Sequence, residues 1–180
     1  MKGNTAEYVI LGMLSDKPMS GYDINKRVKS RMGSFWGITY SQIYPALKRL
    51  EKDGFLTKKL ERNEYGPSRK VYSITSIGTK KLQEWLIKPA EPERARIETL
   101  LKVAYGEQIS KKEVIKHIIE FKARNKLRLE KALFLEEEVK NKMNESERNF
   151  FLSLTIMLGK KLHKAGIEWA DSAIELIEKT

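Results

Sequence analysis

The sequence has no cysteine and only two histidines, His117 and His163, far apart in the chain. Disulfides, thiolate metal sites and cysteine nucleophiles are therefore excluded. With no His-x-x-x-His or comparable ligand spacing, no metal and no cofactor are expected. Phosphate-binding glycine loops are also missing, and neither histidine lies in a catalytic motif, so the chain does not read as an enzyme. Proline (5) and glycine (11) are sparse while charged residues reach 33%, which points to a largely helical, well-solvated protein. No apolar run approaches the ~20 residues of a membrane span. The apolar stretch Tyr8–Leu14 is short and contains Gly12, too little for a signal peptide, so a cytoplasmic protein is expected.

What is abundant is positive charge. The net charge is +11, and residues 1–88 hold 17 Lys and Arg against 8 Asp and Glu, so nearly all the excess lies in the first half. Such a balance favours a polyanionic partner. A membrane surface would require a basic amphipathic helix with an exposed apolar face, whereas the basic half reads as a packed module.

That module is organised around residues 39–50. Ile43, Ala46, Leu47 and Leu50 fall at i, i+3, i+4 and i+7, one face of a helix. Ser41, Gln42, Tyr44, Lys48 and Arg49 occupy the other face, and such side chains donate to bases and phosphates. Thr39 or Ser41 caps this helix, Pro45 falls in or just after its first turn, and Asp53-Gly54 stops it. Ahead of it, Asn4 or Thr5 caps a first helix, apolar nearly all round, whose burial calls for neighbours on both sides, a second subunit among them. Residues 15–19 form a turn at Pro18. Ser20-Gly21-Tyr22-Asp23 is a capping box opening a second helix that carries Lys26, Arg27 and Lys29 and ends at Gly33. Phe35 and Trp36 are expected to plug the core beneath the third helix. After it, residues 55–61 alternate with period two, 62–68 are rich in turn formers, and 69–74 return, a two-stranded hairpin. Thr75 or Ser76 caps a fourth helix through Trp85 and Leu86.

Three helices, a hairpin and a helix make a winged helix-turn-helix layout, with the third helix in a major groove and the hairpin tip reaching the backbone or minor groove. The expected DNA contacts are Tyr22, Tyr40, Ser41, Gln42, Tyr44, Lys48 and Arg49, with Arg62, Ser68, Arg69 and Lys70 from the wing. Gln42 and Tyr44 are assigned to base edges, and Ser41, Lys48 and Arg49 to phosphates. The alternative is a winged-helix protein–protein adaptor without DNA binding, which predicts a neutral or acidic third helix and wing.

Residues 8–14, 20–24, 41–54 (Ser-Gln-Ile-Tyr-Pro-Ala-Leu-Lys-Arg-Leu-Glu-Lys-Asp-Gly), 66–75 and Gly78 resemble the PadR family of bacterial transcriptional regulators, and Ile97–Val103 resembles the start of the virulence-activator-type C-terminal domain of its longer members. The resemblance implies a homodimer that binds a pseudo-palindromic operator, repression by promoter occlusion, and a small aromatic or hydrophobic effector.

Residues 88–93, with two prolines, form a linker. We therefore expect a mainly α chain, with a winged helix-turn-helix domain at 1–88 and a long-helix dimerisation domain at 94–180. After a short helix ending at Gly106, a capping box at Ser110 opens a stripe of Val114, Ile118, Phe121, Asn125, Leu129, Ala132, Leu135 and Val139. Beyond a second cap at Asn144, Phe151, Leu154, Leu158, Leu162, Ala165, Trp169, Ala173 and Leu176 form another stripe. Phe150, Met157, Ile167, Ile174 and Ile177 widen it, more than one partner helix covers. Gly159 and Gly166 mark close approach of backbones. Homodimerisation is expected through both N-terminal and C-terminal helices. Trp85, Trp169, Phe150 and Phe151 are either lining for an effector pocket or dimer packing.

Overall fold

In a computed structural model, the described residues are 5–32, 36–63, 66–92, 95–142 and 146–179, the side chains at 62, 63, 66 and 67 excepted. The expectations placed on Asn4, Gly33, Phe35 and Asn144 lie outside them. The chain divides into two compact units, Met1–Pro92 and Glu93–Thr180.

The first unit contains α1 (Thr5–Leu14), β1 (Met19–Ser20), α2 (Gly21–Arg31), α3 (Tyr40–Lys52), β2 (Leu56–Asn63), β3 (Gly66–Ile74) and α4 (Ser76–Leu86). Ile43, Ala46, Leu47 and Leu50 of α3 are completely buried, packed with Ile10, Leu11, Ile24, Val28 and Leu56. Burying each large aliphatic contributes about 2 kcal/mol. Ile38, not Trp36, supplies the plug ahead of α3; Trp36 is 40% exposed. The hairpin is the larger part of a three-stranded antiparallel sheet of order β1-β3-β2, Met19 pairing with Tyr72 and Ser20 with Val71. A two-residue strand has no alternation to read, so residues 15–19 looked like turn alone. Ser20 also accepts from the Asp23 N–H and caps α2, which ties the start of that helix to the sheet.

The second unit contains α5 (Glu98–Ala104), a 3-10 turn (Gly106–Gln108), α6 (Lys111–Lys140) and α7 (Glu147–Glu178). Ser110 caps α6, and Ser146 caps α7 by accepting from Asn149. The two long helices run antiparallel, with ion pairs Lys122–Asp171 and Lys160–Glu136 along their length. On α6 the seam is Val114, Ile118, Asn125, Ala132 and Val139, drawn from the expected stripe. On α7 the intrachain seam uses only a small part of the apolar surface. The buried residues are Ile156, His163 and Ala170, seven apart, whereas Phe151, Leu154, Leu158, Leu162 and Leu176 remain exposed. The seam is made close by small groups: a Cβ on Gly166 would stand 3.0 Å from the Asn125 amide. Gly159 meets nothing within 4 Å, so only one of the two glycines marks close approach within the chain. Of the richer apolar stripe of α7, Trp169 and Ala173 pack against the α6 seam, whereas Phe151, Leu154 and Leu158 are left uncovered by the chain. Among the described residues, no helix is long and apolar enough to cross a membrane.

Candidate nucleic-acid interface

The outward line of α3 follows from its buried one. With 43, 46, 47 and 50 inside, a helix of 3.6 residues per turn turns 41, 45, 48 and 52 directly outward, and all four are exposed. Ser41 and Lys48 are therefore central. Lys52 belongs with them and was missed, although the 4-3-4 spacing of Ser41, Pro45, Lys48 and Lys52 was visible in the sequence. Pro45 lies in the second turn of α3, where it supplies no N–H to the Ser41 carbonyl. Its cost is limited by exposure, which lets water take that carbonyl, and not by the unpaired amides of a first turn.

The flanks of the line are occupied differently. Thr39 is the N-cap, and its N–H and hydroxyl both donate to Gln42 Oε1, at 3.0 and 3.2 Å, while its Oγ lies 2.7 Å from that of Ser41. The Gln42 oxygen is thereby committed to the cap, and only its NH2 faces outward as a donor. Tyr40 and Tyr44 stack at 6.0 Å, with the Lys29 ammonium 5.6 Å from the Tyr40 ring. Tyr44 also lies against Gly21, where a Cβ would come within 2.9 Å of the ring. Tyr22, on the neighbouring turn of α2, is 61% exposed.

Arg49 and Arg69, both expected to contact DNA, are engaged within the protein. Arg49 donates to Glu7 of α1 at 3.1 Å, and Lys81 of α4 reaches the same carboxylate at 3.1 Å. This three-way pair holds α1, α3 and α4 together and turns Arg49 to the α1 side of the helix. Arg27 is paired with Asp16. In the wing, Arg69 pairs across the strands with Glu61 at 2.9 Å and lies 3.9 Å from Asp23. The Asp23 carboxyl is held below its usual range, first by the Ser20 hydroxyl that donates to it and, against the opposing effect of burial, by the Ser20 N–H and Arg69. Ser68 and Lys70 are exposed. The Arg62 side chain lies outside the described residues. Among those described, Lys48, Lys52 and Lys70 have no acidic partner, so their charge remains available.

The second unit holds a separate cavity of about 780 Å³ between α5, α6 and α7, with Phe121, Asn125, His163 and Trp169 in its wall. Of the four aromatics read as either pocket lining or dimer packing, Trp169 lines this cavity. Trp85 stacks on Tyr8 at 4.5 Å in the first unit, and Phe150 and Phe151 contact each other at the start of α7.

Comparison with known proteins gives matches over both units. Residues 10–84 match the transcriptional regulator PadR-like family and residues 95–178 match the virulence activator alpha C-terminal family. The negative transcriptional regulator PadR of Bacillus subtilis is 31% identical over 180 residues, covering 96% of this chain and 97% of that protein. The crystal structure of Bacillus subtilis PadR in complex with operator DNA superposes with a TM-score of 0.85 at 29% identity, covering 98% of each chain. The crystal structure of the same protein with p-coumaric acid superposes with a TM-score of 0.74 at 30% identity, covering 96% of this chain and 98% of that one.

Proposed function

Because the chain belongs to the PadR-like family of transcriptional regulators, we propose that it is a sequence-specific repressor, not an enzyme, that works in the cytoplasm as a homodimer on a pseudo-palindromic operator and leaves it on binding a small hydrophobic effector. The observation that carries this reading is the α3 surface. One side is wholly buried, and the other presents Ser41, Lys48 and Lys52 in line beside a wing whose Lys70 has no acidic partner among the described residues. An adaptor without DNA binding has no use for such a face.

In this mechanism two copies of α3 enter successive major-groove faces about 34 Å apart. Lys48, Lys52 and Lys70 neutralise phosphates, Tyr22 and Tyr40 lie along the backbone, and Tyr44, stacked on Tyr40, reaches a base edge. Gln42, with its oxygen held by Thr39, donates from its NH2 to base acceptors such as guanine O6 and N7. Arg49 and Arg69 contribute by holding α3 and the wing in place, and reach phosphates only by giving up Glu7 and Glu61. The exposed stripe of α7 supports dimerisation, since an apolar surface of that extent needs a cover. The half-buried edge of α1 at Tyr8 and Val9 supports a second contact. Bacillus subtilis PadR has been solved with p-coumaric acid, and the cavity of the second unit supports an effector here.

A gel-shift titration against the DNA upstream of the protein's own gene tests the assignment. Lys48→Ala weakens binding to all sequences alike and lowers the slope of log affinity against log salt by about 1. Gln42→Ala relaxes preference at one base pair per half-site. An unchanged salt slope for the first, or a uniform loss across sequences for the second, contradicts the roles given to these residues.

A further inference from the structure

We propose that Gly21 of α2 is a positioning residue for base recognition: the space left by its missing side chain fixes the Tyr44 ring in the orientation in which it meets a base edge, so that α2 as well as α3 decides which base pair that tyrosine accepts. The proposal rests on the operator-binding reading above, in which Tyr44 contacts a base, and adds a residue that acts without touching one.

Nothing in the backbone calls for glycine here. Among the described residues only Gly54 has a positive φ, so the conformation at Gly21 is open to any residue. The start of α2 is fixed by Ser20, whose hydroxyl accepts from the Asp23 N–H while the Asp23 carboxylate accepts from the Ser20 N–H, and this capping box asks nothing of the residue after Ser20. A glycine within a helix is also less favourable than alanine, because it has more freedom to lose on folding. What fills the place of its side chain is a ring from the next helix. A Cβ on Gly21 would stand 2.9 Å from Tyr44 Cε1 and 3.1 Å from Cζ, with Leu47 Cδ1 of the core at 3.2 Å.

Tyr44 is 44% exposed, and a side chain at such a surface turns freely unless its neighbours hold it. Tyr40 stacks on it with 11° between the ring planes, and the Lys29 ammonium stands over the Tyr40 ring. Gly21 and Lys29 lie about two turns apart on α2. That helix therefore bounds the stacked pair at both ends, Gly21 against Tyr44 and Lys29 against Tyr40. The ring is ordered before DNA arrives, and binding does not have to order it. A hydrogen bond to a base edge falls off steeply with distance and angle, so the base that Tyr44 accepts depends on where Gly21 lets the ring lie.

Gly21→Ala moves the ring and spares the fold. Cε1 and Cζ lie at the far end of an exposed side chain that swings outward, the Leu47 methyl gives by a few tenths of an ångström, and the helix gains from the loss of a glycine. The thermal midpoint therefore stays within a few degrees of the unaltered protein. Gel shifts are run on the DNA upstream of the protein's own gene, on single-base-pair variants of that site, and on random-sequence duplex of equal length. Gly21→Ala is expected to lower discrimination about 10-fold at one base pair per half-site, with the same salt slope, since no charge changes. Tyr44→Ala relaxes the same base pair, and Gly21→Ala adds nothing in that background. An equal loss on all sequences, or a loss that persists on top of Tyr44→Ala, overturns the proposal. Should Gly21→Ala fail to fold, nuclear magnetic resonance of the unaltered protein decides: contact between the Gly21 Hα and Tyr44 Hε protons persists from the free to the operator-bound state, and its disappearance on binding overturns the proposal. An unaltered chain with no preference for any sequence refutes the operator reading and the proposal with it, whereas a preference that Gly21→Ala leaves whole overturns the proposal alone.

Discussion

A chain carrying Leu158→Lys and Leu162→Lys elutes at the mass of one copy, 20.9 kDa, where the unaltered protein elutes at twice that. Both leucines lie on the α7 stripe and are about 60% exposed, Leu162 also bordering the cavity of this unit. The intrachain seam uses Ile156, His163 and Ala170 instead, so two lysines on the outer stripe leave the α6–α7 hairpin and its helical circular dichroism intact. They place two strongly hydrated charges where a second copy would bury apolar surface. Operator affinity falls with the dimer. Tethering two α3 helices raises the effective concentration of the second contact and supplies about 100-fold or more in affinity, and a single copy forfeits it. Analytical ultracentrifugation and gel shift on the same samples test both statements. A double variant that stays dimeric assigns the stripe to another partner.

The second large effect is at Gly78. Its N–H donates to the Thr75 hydroxyl that caps α4, and that hydroxyl donates in turn to the Gly54 carbonyl at 2.8 Å. A Cβ on Gly78 would lie 2.3 Å from the Phe55 carbonyl oxygen and 2.9 Å from Ile74 Cγ1. The oxygen is backbone and already accepts from the Thr75 N–H at 3.1 Å, so it has little freedom to retreat. Gly78→Ala therefore forces the start of α4 off the end of β3 and the turn after α3. The cost is about 3 kcal/mol, the upper end for overpacking, which lowers the midpoint of the N-terminal unit by about 10–20 °C. Gly12→Ala in α1 has the opposite sign. Nothing lies within 4 Å of its Cβ, and the loss of glycine from a helix interior stabilises by roughly 0.5–1 kcal/mol. Thermal scans of the two variants give the comparison, and equal midpoints would contradict the packing described here.

How much of this was legible beforehand differs between the units for a physical reason. In the first, burial and polarity divide α3 along one line, so Ile43, Ala46, Leu47 and Leu50 revealed both its inner face and, by rotation, its outer one. What periodicity does not carry is which cations are already paired. Arg49 and Lys48 are adjacent and chemically alike, yet Glu7, 42 residues earlier, takes Arg49 and leaves Lys48 available. The commitment of Gln42 to the Thr39 cap was equally hidden, because a polar N3 residue serves a cap and a groove by the same spacing. In the second unit the strongest apolar stripe of α7 is mostly left uncovered by its own chain. Hydrophobic periodicity shows that a face is buried against something and does not say whether the cover is the same chain. The seam within the chain is the weaker pattern, Ile156, His163, Gly166 and Ala170, in which small size and one polar pair replace bulk. His163 could have been found as the histidine that falls seven residues from each of two apolar neighbours. Asn125, whose Oδ1 lies 3.1 Å from His163 Nδ1, was read correctly onto the buried stripe but not as a hydrogen-bonding residue.

The most direct test of the account is a hydroxyl-radical footprint of the unaltered protein on the DNA upstream of its own gene, in competing non-specific DNA and at several salt concentrations. The account predicts two protected half-sites related by two-fold symmetry, their centres about one helical turn or ~34 Å apart, with protection that outlasts the competitor. Uniform protection, or binding that the competitor removes completely at every salt concentration, would contradict it.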